Sequence, residues 1–119
     1  MVGYMKYNAY ILSRIMNNYS NLLEELGAKN FDIQKDHNGD VRAAVVFSRY
    51  EEFAKIVQEH LNAPYNYVDI SFPKEKRVVI VFGAKIFVIS NQEEMEKAKK
   101  WAIELGLPPA QADLKLGFI

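Results

Sequence analysis

The segment Tyr67–Leu105, YVDISFPKEKRVVIVFGAKIFVISNQEEMEKAKKWAIEL, decides the fold. Tyr67–Phe72 places Val68, Ile70 and Phe72 on one face and Tyr67, Asp69 and Ser71 on the other, the period of a strand. Pro73-Lys74-Glu75-Lys76 is a charged turn, after which Arg77–Phe82 is almost wholly apolar. Gly83-Ala84 permits another reversal before the apolar run Lys85–Ile89. Apolar runs without alternation mark strands covered on both faces. Such a sheet needs helices above and below it. Ser90-Asn91-Gln92-Glu93 has the form of a capping box. The helix that follows turns Met95, Ala98, Trp101, Ala102 and Leu105 inward, and Gly106 stops it. Trp101 is expected between this helix and the sheet.

Toward the N-terminus, Ser48-Arg49-Tyr50-Glu51 is a second capping box, opening a helix with Phe53, Ile56, Val57 and Leu61 inside. Asn62-Ala63-Pro64 ends it. Before it, Phe31–Lys35 alternates and Val41–Phe47 is more apolar. Asn38-Gly39 between them is the signal for a tight hairpin with positive φ at both turn positions. Ile11, Leu12, Ile15, Met16, Tyr19, Leu22, Leu23 and Leu26 recur at spacings of three and four. That stripe predicts a helix of about five turns packed on the sheet, with Gly27 as its stop. The expected order is helix-strand-strand-helix-strand-strand-strand-helix. It gives a single-domain α/β/α sandwich over residues 1–106, with a five-stranded, mainly antiparallel sheet. Residues 107–119 form a Pro-Pro and apolar tail.

At 119 residues the chain is long enough to bury about two-thirds of its unfolded surface. Fifteen basic residues balance fifteen acidic ones, so no net field draws it to nucleic acid or an anionic membrane. Without cysteine there is no disulfide, thiolate nucleophile or thiolate metal site. No apolar run approaches the ~20 residues of a membrane span, and MVGYMKYNAY lacks the plan of a signal peptide. A cytoplasmic location is expected.

The element order resembles that of the roadblock family of dynein light chains and small-GTPase regulators. Phe31–Phe47, with Asn38-Gly39 at its turn, is similar to that family's first hairpin. Tyr67–Phe82 looks like its third and fourth strands, and Lys85–Ser90 like its fifth, leading into the last helix. Longin and profilin-like domains share much of this layout. The chain departs from the pattern in a middle helix that follows the second strand at once, and in the extension after Gly106. The resemblance implies a non-enzymatic homodimer that joins two sheets through the second strand and middle helix, then binds a small GTPase or a scaffold. Here that interface falls on Val41, Ala43, Ala44, Val45, Val46, Tyr50, Phe53, Ala54 and Val57. A long apolar strand left at a sheet edge invites such pairing, and only Arg42 opposes it.

No residue cluster identifies a chemistry. Asp36, His37 and Asp40 flank a turn, where such side chains bond the local backbone. His60 lies beside the apolar stripe of the middle helix, with no partner at zinc spacing. A magnesium nuclease would need Asp69 and a Glu-x-Lys on paired strands, but Glu75-Lys76-Arg77 falls in a turn. No phosphate loop or Gly-x-Ser-x-Gly context occurs. Catalytic residues, metal and cofactor are therefore all assigned as none. Lys74, Lys76 and Arg77, with Lys97, Lys99 and Lys100 on the last helix, form the alternative, a nucleic-acid surface interleaved with glutamates. The expectation is a homodimeric protein-interaction module, with small nucleic-acid-binding protein as the rival reading.

Overall fold

The computed structural model describes residues 5–116. The strands are β1 (Lys6–Ile11), β2 (Asp32–Lys35), β3 (Val41–Val46), β4 (Tyr67–Phe72), β5 (Arg77–Phe82) and β6 (Ile86–Ile89). The helices are α1 (Tyr19–Ala28), α2 (Tyr50–His60) and α3 (Gln92–Leu105). The strands form two antiparallel three-stranded sheets, ordered β1-β3-β2 and β4-β5-β6. This corrects the expected single five-stranded sheet.

The additional strand is β1, where a helix was expected from Ile11. Tyr7, Ala9 and Ile11 turn inward while Lys6, Asn8 and Tyr10 turn outward, a two-residue period that ends where the apparent helical stripe begins. Leu12 precedes a 3-10 turn over Ser13–Ile15, and Met16 forms an isolated bridge with Leu61. Asn18, at φ +51°, sets the chain direction for α1. The helix runs past Gly27, and Asn30 at φ +64° supplies the left-handed residue after it.

The second sheet is covered on both faces. Val79 and Val81 of β5 join Leu22, Leu26, Phe53 and Val57 of α1 and α2 in one core. Val78, Ile80 and Phe82 join Met95, Ala98 and Ala102 of α3 in the other. The apolar run of β5 therefore means what the sequence indicated. The run of β6 is covered in part: Ile86 packs toward the first core and Phe87 and Ile89 toward the second, but Val88 is 40% exposed. Among the described residues, the first sheet is covered on one face, by α1 and α2. Its outer face carries Lys6, Asn8, Tyr10, Asp32, Gln34 and Arg42 in contact with water, as an antiparallel sheet permits.

Helix starts differ from the expected boxes. Before α2 the chain makes a 3-10 turn over Phe47–Arg49, and Ser48 does not cap. Arg49 holds this start instead, donating to Glu52 Oε2 at 2.9 Å and to Lys29 O at 2.6 Å and lying 4.0 Å over the Phe31 ring. At α3 the box is displaced by one residue. Asn91 Oδ1 accepts from Glu94 N at 2.9 Å, and the Glu94 carboxylate accepts from Ser90 Oγ at 2.7 Å.

The tail packs on the second core, where Leu107, Leu114 and Leu116 are buried. Phe118 and Ile119 lie outside the described residues. Trp101 is half-buried, with its ring 5.0 Å from Phe82 and 5.2 Å from Phe87. Trp101→Ala is expected to cost about 2 kcal/mol in chemical denaturation, less than a fully buried aromatic. An unchanged midpoint would show that these ring contacts contribute nothing.

Candidate functional site

Among the described residues, two features of the surface are unspent by the fold: the outer edge of β6 and a cleft where the two sheets part. β1 and β4 lie side by side without forming a ladder. Near Tyr7 and Phe72 the seam is closed, with ring centroids 5.4 Å apart. Toward Tyr10 and Asp69 it opens into a cleft of about 400 Å³. Its lining draws on Tyr10, Leu12 and Arg14 from the first sheet's side and on Asn66, Tyr67 and Asp69 from the second.

The Tyr67 hydroxyl donates to Gln111 O at 3.1 Å, fixing the tail beside the cleft. Burial first, then the carboxylates of Asp69 and Asp113, push the Tyr67 phenol up, so it remains a donor near neutrality. Desolvation also raises the Asp69 carboxyl above the ordinary aspartate value. Water still reaches this side chain and screens the effect. Among the described residues, no ion pair engages Arg14 or Asp69.

The interface residues expected from the sequence are placed differently. β3 is the central strand of its sheet, paired with β1 on one side and β2 on the other. Strand addition at β3 is closed, because both ladders are occupied. Val41, Ala43, Val45, Phe53, Ala54 and Val57 are buried, while Ala44, Val46 and Tyr50 are partly exposed. β1 covers the edge of β3 that the sequence pattern leaves open.

The free edges differ in character. β2 is short and polar, with Asp32 paired to Lys6 and Gln34 bonded to Arg42, devices that discourage pairing. β6 is Ile86-Phe87-Val88-Ile89, with no proline or charge inside it.

The hairpin turn is structural. Asp36 N donates to Asp40 O at 2.9 Å and Gly39 N to Asp36 O at 3.2 Å, and only Gly39, at φ +88°, is left-handed. The loop therefore spans Asp36–Asp40, longer than the expected two-residue turn. Asp40 Oδ1 accepts from Ser13 N at 2.8 Å and Gly39 O from the Tyr19 hydroxyl at 2.8 Å, tying the loop to the segment after β1. His60 is buried, with Nδ1 2.9 Å from Asn17 O, and joins the end of α2 to the start of α1.

Asp69 lines the cleft, whereas Glu75 lies in the β4–β5 connection. Among the described residues, no group of three or more His, Cys, Asp or Glu side chains is placed to hold a metal ion. Lys74, Lys76 and Arg77 occupy that same connection and the start of β5. On α3, Lys97 pairs with Glu93 and Lys99 with Glu96, both at 3.6 Å. Lys99 and Lys100 share a shallow groove with Glu96 and Glu104. No helix among the described residues is long and apolar enough to cross a membrane. Comparison with protein families, curated proteins and solved structures finds no match for this chain.

Proposed function

We propose that the protein is a non-catalytic interaction module that works as a homodimer, joined edge to edge through β6. The supporting observation is the outer edge of β6, a wholly apolar strand whose Val88 is 40% exposed. Such an edge offers unpaired backbone donors and acceptors to a second chain. An identical strand running antiparallel across a two-fold axis satisfies them and makes one continuous sheet. α2 packs on the same sheet face as Val79 and Val81, so the two copies of α2 would flank the junction on one side. A further protein, such as the small GTPase implied by the roadblock resemblance, would dock on that joined surface.

Val88→Lys tests the edge without touching either core. The charge opposes strand pairing in the manner of natural edge strands. A halved solution mass with unchanged near-ultraviolet circular dichroism is the expected result. A Val88→Lys protein that keeps a dimeric mass would exclude β6 as the junction.

A further inference from the structure

We propose that the cleft between β1 and β4 binds a small aromatic zwitterion of the amino-acid type. Its carboxylate would meet Arg14, its ammonium Asp69, and its ring the exposed face of Tyr10. The reasoning starts from charge. Arg14 and Asp69 line one cleft yet form no ion pair with each other within 4.0 Å. Two opposite charges held apart in one concavity recognise a ligand whose own charges are separated in the complementary order.

The remaining lining fits the neutral part of such a ligand. Tyr10 is 63% exposed and lies at the cleft with Leu12 and Leu107, so its ring is open to a ligand. An aromatic ring placed there removes apolar surface from water on both partners. The volume of about 400 Å³ falls in the range of small-molecule sites. The site is separate from the β6 edge and stands whether or not the protein dimerises.

L-Phenylalanine, titrated into the full-length protein by calorimetry and by amide chemical-shift mapping, is the probe. N-acetyl-L-phenylalanine removes the cation and L-phenylalaninamide removes the anion, so each arm deletes one proposed contact. Saturable binding of L-phenylalanine is expected, with shifts centred on Tyr10, Tyr67 and Asp69. Each analogue should bind at least about tenfold weaker, as loss of one charged hydrogen bond implies. Asp69→Asn should weaken L-phenylalanine to a similar degree and abolish its advantage over the N-acetyl form. Arg14→Gln should do the same against the amide. Absence of saturable binding, or binding that ignores both substitutions, overturns the proposal, as does a shift map centred elsewhere.

Discussion

Phe72→Ala is expected to lower the free energy of unfolding by about 3–5 kcal/mol, the cost of emptying a fully buried aromatic site. Phe72 is 0% exposed and ends β4 where the two sheets meet. Its ring lies edge-on to Tyr7 of β1 at 5.4 Å and to Phe47 at 5.1 Å, with Tyr50 of α2 at 6.5 Å. No backbone ladder joins β1 to β4, so side chains such as these hold the sheets together. Removing the ring leaves a cavity at a place where backbone hydrogen bonds cannot compensate. Urea denaturation checks it. A loss below about 1 kcal/mol, within the range of surface substitutions or little more, would mean that the seam is held by something other than this cluster.

Gly83→Ala is expected to cost about 3 kcal/mol, at the upper end of the penalty for overpacking a tight site. The reason is space rather than backbone freedom. A Cβ on Gly83 would come 3.1 Å from Pro64 Cα and into overlap with the Ala63 carbonyl oxygen, both parts of the main chain. A main-chain neighbour cannot rotate aside as a side chain can. The same approach carries two hydrogen bonds, Gly83 N to Asn66 O and Ala84 N to Pro64 O, each at 3.1 Å. Relieving the overlap would stretch both. Gly27 makes the control, because a Cβ there meets nothing within 4 Å and alanine in a helix is favoured over glycine. Gly83→Ala with wild-type stability would mean that the β5–β6 connection does not press on the α2–β4 connection.

The sequence made some of this architecture plain. In β5 every residue from Val78 to Phe82 is buried, and alternate side chains enter different cores. A continuous apolar run records that situation directly. β1 was hidden because Tyr7-Asn8-Ala9-Tyr10-Ile11 alternates over too few residues before Leu12, Ile15 and Met16 imitate a helical stripe. β6 is legible in part, and for a different reason. Hydrophobicity reports that a residue seeks cover, not how much it finds, so exposed Val88 reads in sequence like its covered neighbours. The cleft was invisible for want of topology. Arg14 and Asp69 are distant in the chain, and only the antiparallel approach of β1 and β4 brings their segments together.

Self-association through β6 is decided most directly by the solution mass of the wild-type chain. A stable edge-to-edge dimer should bury more than about 1,000 Å² in total and persist under dilution. Light scattering across a dilution series into the low micromolar range is expected to give twice the chain mass of 13.7 kDa. A single-chain mass at high micromolar concentration would contradict the dimer, and with it the proposed function.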